Sequence, residues 1–238
     1  MYRKFRALKV ILALLVVYVL SLDKVHAQLD TVWVCDVKFN NEQFDNAHAG
    51  SGFLLEYGGE VYGITAKHVL FFAKTEAMKT VSFGDELKSW TLRSANGSKN
   101  NIELGILINE NKEETIAMPP KGDWLVFETK GTLPKTAKVH SLRETPLQVG
   151  EELFFIGFPY NEEKPLKIKG RFTGFTPEGN LSLGIPKGNY GGCSGGPVVD
   201  KNGDLVGIVS MGYFNQELNK QIFEPASLDY FKQVIKAP

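Results

Sequence analysis

The chain has 238 residues, 43% of them hydrophobic, and its 27 Lys and Arg residues balance its 27 Asp and Glu residues, so that the formal net charge is zero at pH 7. Beyond the first 27 residues no basic cluster of the kind that binds a phosphate backbone is present, which argues against a nucleic-acid partner. Two cysteines are too few for a disulfide-dense scaffold or a CxxC-type zinc site, and we predict neither a metal site nor a cofactor.

The N-terminal segment has the pattern of a cleaved secretory signal. Four basic residues lie within the first nine positions, 11 apolar residues run from Val10 to Leu20, and the small residue Ala27 follows. A membrane span needs about 20 apolar residues, so an uncleaved signal anchor is the weaker alternative. We predict a signal peptide at 1–27 and a secreted or periplasmic mature chain that does not stay at the membrane.

The predicted mature chain, 28–238, carries 22 basic and 26 acidic residues, a net charge of −4. Its dominant pattern is short runs rich in Val, Ile, Phe and Tyr, each bounded by Gly, Pro or Asn, which is typical of β-strands. Many such strands predict an all-β barrel or sandwich of one domain. The runs are Gly52–Tyr57, Val61–Thr65, Trp124–Glu128, Leu153–Gly157, Arg171–Phe175, Leu181–Ile185 and Leu205–Ser210.

Three segments interrupt the strand pattern. The polar stretch Thr129–Pro146 contains few apolar residues and is predicted to connect two halves of the chain. A second polar stretch, Asn109–Gly122, is predicted to be a loop. Apolar residues at helical spacing predict a short helix over Ser227–Lys236.

In chain order, the first candidate catalytic residue is His68, which lies where a predicted strand enters a turn. Asp123 opens the next predicted strand and is the best candidate for a carboxylate that orients the imidazole, although it could be a simple turn residue. Asp85 and Glu103 are the alternative carboxylates. The histidines at 48 and 140 lack a comparable sequence frame.

The strongest motif is the glycine-rich run from Gly191 to Pro197, which has Ser194 at its centre. A hydroxyl nucleophile has to protrude from a tight turn, and glycines permit the backbone angles of such a turn. The backbone N–H groups of Gly192 and Ser194 are predicted to form an oxyanion hole. A glycine-rich loop between two strands, with no chemistry, is the alternative interpretation.

The order of these residues separates the serine-hydrolase folds. In an α/β-hydrolase the histidine follows the nucleophile, and no histidine follows Ser194. The subtilisin order requires an aspartate before the histidine, in a fold of alternating helices and parallel strands that this pattern lacks. The order His68, Asp123, Ser194 is the one found in chymotrypsin.

These motifs resemble the trypsin-like, chymotrypsin-fold serine peptidase family, in particular its bacterial branch, over nearly all of 28–238. The resemblance implies two antiparallel six-stranded β-barrels, at about 28–130 and 140–222, with a short helix at about 227–236 and the site in the cleft between the barrels. The matching segments are Gly50–Phe53, Thr65–Val69, Asp123–Phe127, Val149–Glu151, Gly157–Pro159, Ser194–Val199 and Leu205–Ile208.

The same resemblance implies where a substrate would bind. Gly188, Asn189 and Tyr190 are predicted to shape a side-chain pocket, and the strand edge at Ser210, Met211 and Gly212 is predicted to pair with the backbone of a protein or peptide substrate. No Asp occurs in 187–190 or 211–216, so that a preference for Arg or Lys has no evident counter-charge. An apolar or small side chain is expected in the pocket.

Cys193 departs from the family pattern, which often has Asp or Asn directly before the nucleophile. A thiol cannot form the charge pair with a new N-terminal amine that activates zymogens of the family. Cys193 could instead act as the nucleophile, form a disulfide with Cys35, or be merely packed, and the sequence leaves these readings open.

The sequence therefore favours an exported serine endopeptidase that forms an acyl-enzyme through Ser194. A catalytically silent homologue that uses the cleft to bind a protein is the alternative, and a small esterase with the same triad is a third. The sequence does not give the oligomeric state.

Overall fold

The structure is a computed structural model, and it describes residues 31–95, 97–118, 120, 122–160 and 162–235. The predicted signal peptide at 1–27 lies outside the described residues. The described residues of the first half form nine strands: β1 (Trp33–Phe39), β2 (Ser51–Tyr57), β3 (Glu60–Thr65), β4 (Thr80–Val81), β5 (Leu87–Arg93), β6 (Ile102–Leu107), β7 (Asn111–Thr115), β8 (Leu125–Thr129) and β9 (Val139–His140).

The second half has six strands and a helix. These are β10 (Glu152–Gly157), β11 (Leu166–Phe175), β12 (Leu181–Gly184), β13 (Pro197–Val199), β14 (Leu205–Asn215), β15 (Lys220–Ser227) and α1 (Asp229–Val234). Three short 3-10 helices lie at Glu42–Phe44, Lys67–Phe71 and Ser98–Asn100. No helix in these parts of the chain is long and apolar enough to span a membrane.

The first six-stranded barrel is closed. Its strands follow the order β1-β5-β6-β8-β3-β2, and β1 pairs again with β2. All these pairings are antiparallel. The aromatic side chains of Trp33, Phe53, Trp90, Trp124 and Phe127 are fully buried inside it. Because the interior is packed, it fixes the positions of the strand ends that carry the candidate site.

The second barrel has the strand order β12-β11-β10-β13-β14-β15 and is nearly closed, because β12 lies against β15. Its own core cluster includes Leu153, Phe155, Phe172, Val198 and Phe223. The prediction of two antiparallel six-stranded barrels with a short C-terminal helix is confirmed. Helix α1 lies within the predicted range Ser227–Lys236.

The stretch predicted to be only a connection, Thr129–Pro146, is attached to both barrels. Strand β9 lies within it and pairs in parallel with β2, and His140 is buried. Further along, the backbone N–H of Arg143 donates to the carbonyl of Leu205 at 2.9 Å. Only two residues form the strand, which is too short to produce a visible alternation in the sequence.

The predicted loop Asn109–Gly122 also contains a strand. Strand β7 pairs antiparallel with the two-residue strand β4 to form a small ribbon outside the barrels. Four of the five side chains of β7 are exposed, so that no apolar period marks it in the sequence. The prediction of a loop there was wrong for Asn111–Thr115.

Candidate active site

His68 and Asp123 lie in contact at the edge of the first barrel. His68 is in the 3-10 helix that follows β3, and Asp123 directly precedes Trp124 and strand β8. The Nδ1 atom of His68 is 2.6 Å from Oδ2 of Asp123, and the His68 backbone N–H donates to Oδ1 at 2.8 Å. Both side chains are almost fully buried, so the carboxylate fixes the position of the ring and of its backbone.

Ser210 completes this hydrogen-bond network from the second barrel. Its hydroxyl donates to Oδ2 of Asp123, the oxygen that also accepts from His68. From the sequence, Ser210 was predicted only at a substrate-binding strand edge. A serine inside an apolar strand gives no sign that its side chain reaches across the cleft, and this contact was missed.

The alternative carboxylates lie elsewhere. The Glu103 side chain forms an exposed ion pair with Lys130, with Oε1 2.7 Å from Nζ. Asp85 is exposed in the turn before β5. Neither makes a hydrogen bond to His68 among the described residues.

The loop before β13 carries Ser194 in a backbone shape that only glycine supports on either side. Gly192 and Gly195 have φ angles of +96° and +85°. A Cβ atom on Gly192 would lie 2.6 Å from the carbonyl oxygen of Phe158, and one on Gly195 would lie 2.3 Å from that of Ser51. Such contacts are too close for any other residue, which explains the glycines of the motif.

Ser51, on β2 of the first barrel, holds this loop from behind. Its hydroxyl donates to the Gly192 carbonyl at 2.9 Å and accepts from the Phe158 N–H at 2.8 Å. Its backbone N–H donates to the Ser194 carbonyl at 2.7 Å. Ser51 is fully buried, and the sequence analysis did not assign it a role.

The two predicted oxyanion donors are free. The N–H groups of Gly192 and Ser194 donate to no atom in the parts of the chain that the structure describes. In contrast, the Cys193 N–H donates to the Tyr190 carbonyl at 3.0 Å and the Gly195 N–H to the Val209 carbonyl at 2.9 Å. Two unused donors on either side of one residue fit a site that receives an oxygen atom.

Both cysteines are free and buried, so that no disulfide joins them. The Cys193 side chain lies in the core cluster of the second barrel and has no exposed surface. Burial raises the pKa of its thiol to about 12 and that of Cys35 to about 11. A fully buried thiol that stays protonated at neutral pH does not fit the role of an activated nucleophile.

A pocket of about 380 Å³ opens beside Ser194. Five of the six predicted substrate-binding residues, Gly188, Asn189, Tyr190, Ser210 and Gly212, line it. Met211 does not line it. Tyr213 and Phe214 also line it and lie in 211–216, one of the two stretches expected to shape the pocket, whereas Gly191, Val209, Gln221 and Phe223 were not predicted there.

The edge of β14 is open where the pocket begins. Strand β13 pairs with β14 only as far as Ile208, which faces Pro197. Beyond that point 210–212 extend past the end of β13, while β15 covers the other side from Met211 onward. The residue just before this edge is bonded to the Ser194 loop, since the Gly195 N–H donates to the Val209 carbonyl at 2.9 Å and the Val209 N–H donates to the Gly196 carbonyl at 2.8 Å. An added substrate strand on 210–212 would therefore lie next to that loop.

His48 is half-buried behind the loop and takes no part in the His68 network. Its Nε2 atom is 3.1 Å from the Phe158 carbonyl oxygen, and its ring meets that of Tyr160 edge-on at 4.9 Å. Burial is the main cause that lowers the pKa of His48. Within the described ranges no group of His, Cys, Asp and Glu side chains could hold a metal ion.

Comparisons with known proteins agree with this geometry. The profile of the trypsin-like peptidase domain matches residues 50–208, which include all three candidate catalytic positions. A search of curated protein sequences gave no match.

Solved bacterial structures share the fold. A serine endoprotease from Yersinia pestis superposes with a TM-score of 0.58 and 17% identity, over 86% of this chain and 61% of that chain. The active form of the Rv3671c protease from M. tuberculosis superposes with a TM-score of 0.57 and 16% identity, over 90% of this chain and 84% of that one. An inactive mutant form of Rv3671c superposes with a TM-score of 0.54 and 14% identity, over 87% of this chain and 86% of that one. The chain therefore spans less than two thirds of the Yersinia protein.

Proposed function

This chain belongs to the trypsin-like peptidase family of serine endopeptidases, and we propose that it is an exported enzyme that hydrolyses peptide bonds through Ser194, His68 and Asp123. The observation that carries the proposal is the 2.6 Å contact between His68 Nδ1 and Asp123 Oδ2, which the Ser210 hydroxyl connects to the pocket that Ser194 also lines. Export rests on the sequence of residues 1–27 alone.

The mechanism follows from the hydrogen bonds. When Nδ1 of His68 donates to Asp123, Nε2 is left as the acceptor that takes the proton of the Ser194 hydroxyl. The Ser194 oxygen then bonds to the scissile carbonyl carbon, and the carbonyl oxygen becomes an oxyanion. The imidazolium returns its proton to the leaving amine as the peptide bond breaks, and a water molecule hydrolyses the acyl-enzyme by the same steps.

The surroundings of the triad stabilise its charged stages. Asp123 accepts three hydrogen bonds, which hold its carboxylate in the orientation that stabilises the imidazolium. The free N–H groups of Gly192 and Ser194 supply the oxyanion hole. Cys193 offers no charge for an inserted N-terminal amine, so we propose that the mature chain is competent without further cleavage.

A fluorophosphonate probe and peptide hydrolysis test the proposal together. The mature protein should be labelled at Ser194 and should cleave peptides, and Ser194→Ala should lose both, with a rate reduced on the order of 10⁴–10⁶-fold. Cys193→Ser is the neighbouring control and should keep the labelling. No labelling of a folded wild-type protein would indicate the silent homologue instead, and hydrolysis of esters without peptides would indicate an esterase.

Export has a separate test. Expression of the full chain in a bacterial host, followed by N-terminal sequencing of the exported form, should give a start at Gln28. A protein that stays membrane-bound with residues 1–27 intact would show that the segment is an anchor.

A further inference from the structure

The pocket beside Ser194 is walled largely by aromatic rings. Tyr190, Phe214 and Phe223 line it, and the rings of Tyr190 and Phe223 lie 6.5 Å apart in an edge-on arrangement. The Tyr190 hydroxyl donates to the Pro186 carbonyl at 2.9 Å, which fixes the ring at the pocket wall. The pocket is thus built on fixed side chains, and a substrate side chain would enter it next to Ser194.

One polar side chain stands out in this lining. Gln221, on β15, is only 7% exposed, and its Oε1 atom is buried without a hydrogen-bond donor among the residues that the structure describes. Its Nε2 atom reaches the Ile222 carbonyl only at 3.5 Å, the limit of a hydrogen bond. Because a buried amide that lacks partners destabilises a fold by about 1–3 kcal/mol, a partner supplied from outside is the natural explanation.

The amide of Gln221 is free to serve such a partner. Glutamine turns readily about its last torsion, and the weak contact to Ile222 holds it loosely, so that either amide atom can be presented to the pocket. Phe223 is the next residue on the same face of β15 and also lines the pocket. Gln221 therefore belongs to the inner wall of the pocket, whereas Ser194, which is partly exposed, belongs to its mouth.

The lining carries no charged side chain in the described residues. A Lys or Arg side chain would be buried without a counter-charge, which is costly. The Lys187 Nζ atom lies 3.9 Å from the centroid of the Phe214 ring, on an exposed residue outside the pocket, and further disfavours a basic substrate side chain. A purely apolar side chain would leave the Gln221 amide unpaired.

From these contacts we propose that the pocket selects an uncharged carboxamide side chain, that of glutamine, on the residue whose carbonyl is attacked (P1), and that Gln221 is the residue that recognises it. The two amides pair reciprocally, each donating an N–H to the other's oxygen. Asparagine is one methylene shorter and cannot reach as far along the wall. This inference rests on the proposed endopeptidase function and specifies its substrate class.

The test uses four peptides that differ only at P1: Gln, its charged isostere Glu, the similarly shaped Met, and Lys. The mature wild-type enzyme should have a kcat/KM for Gln roughly tenfold or more above the others, as expected for one or two buried hydrogen bonds. Any other P1 residue in first place would overturn the proposal.

Variants at position 221 test whether Gln221 is responsible for the P1 preference. In Gln221→Leu the preference for Gln over Met should disappear while cleavage after Met is kept, and in Gln221→Glu cleavage after Lys should rise. Gln216→Leu, at an exposed glutamine in the turn between β14 and β15, is the matched control and should leave the profile unchanged. A Gln221→Leu enzyme that keeps the Gln preference would overturn the assignment.

Two readouts separate this inference from the proposed function. Gln221→Leu removes an unpaired buried amide, so its melting temperature should not fall, and its labelling by a fluorophosphonate at Ser194 should persist. If Gln221→Leu is still labelled at Ser194 but its P1 profile is unaltered, only the proposed role of Gln221 is contradicted. Loss of labelling in the wild type contradicts the endopeptidase itself.

Discussion

Two buried serines, Ser51 and Ser210, show how the site is held from outside its catalytic residues. Each hydroxyl crosses between the barrels: Ser51 donates to Gly192 in the second barrel, and Ser210 donates to Asp123 in the first. The sequence predicted His68, Asp123 and Ser194 because their chemistry demands rare residues in a fixed order. It did not indicate Ser51, because serine between glycines is equally common in a plain turn.

The first prediction concerns Ser51→Ala. Loss of this hydroxyl leaves the Gly192 carbonyl and the Phe158 N–H without that partner, so the loop should shift and the oxyanion donors with it. We expect kcat to fall roughly 10–100-fold with little change in KM, less than for outright loss of an oxyanion donor. Steady-state kinetics on a peptide substrate measures this split.

The control for Ser51→Ala is Ser182→Ala, which removes a hydroxyl that accepts from Thr173 on the exposed side of the second barrel. It should leave kcat unchanged. If Ser51→Ala keeps full kcat as well, the loop is held adequately by its backbone bonds, and the role of Ser51 is structural only.

At the scale of elements, strands with a clear apolar run could be predicted from the sequence, whereas strands with few apolar side chains could not. The runs at Leu153–Gly157 and Leu205–Ser210 became β10 and the first part of β14 because their apolar side chains are buried in the two core clusters. The small ribbon of β4 and β7 was not predicted, because it contains few buried apolar side chains. The lining of the side-chain pocket was also predicted only in part. Gln221 lies on β15, and no local sequence pattern shows that β15 pairs with β14.

Helix α1 provides the second prediction, because it is docked on the first barrel although it follows the second. Phe231 is fully buried, and its ring centroid lies 5.5 Å from those of Tyr57 and Trp124. Phe231→Ala should lower the free energy of unfolding by about 3–5 kcal/mol, as for other large core truncations. Urea denaturation measures the change.

The exposed neighbour Gln233 is the matched control on the same helix, and Gln233→Ala should change the free energy of unfolding by less than about 0.5 kcal/mol. Equal effects of the two substitutions would mean that α1 adds little to the stability of the folded chain.

At the scale of the whole molecule, the contact between the barrels is largely apolar, and it includes one buried histidine, His140. Its Nε2 atom lies 3.2 Å from the Thr31 carbonyl oxygen, and its Nδ1 atom lies 3.2 Å from that of Gly203, in the turn between β13 and β14. Its ring meets Phe53 edge-on at 5.7 Å. The two barrels therefore share a histidine that the sequence analysis set aside, because nothing near it in the chain resembles a site.

The last prediction follows from the charge state of His140. Burial, the largest effect, lowers the pKa of His140 in the folded chain, and Lys138 acts in the same direction, while the two carbonyl oxygens and Asp204 oppose it. The unfolded chain binds the proton with the ordinary pKa of about 6.5. Below that pH the unfolded state takes up more protons, so stability falls as the pH decreases from about 6.5.

The melting temperature of the wild type should therefore drop between pH 7.5 and pH 5.0, a range that lies above the ordinary pKa values of Asp and Glu. In His140→Gln this drop should be smaller, even if the variant is less stable at both pH values. Burial also lowers the pKa of His48, so His48 should account for part of the remaining fall in melting temperature. The double variant His48→Gln/His140→Gln should therefore show a still smaller fall. If His140→Gln loses as much stability on acidification as the wild type, then His140 gains its proton in the folded chain without cost, because the Thr31 and Gly203 carbonyl oxygens bind both of its N–H groups.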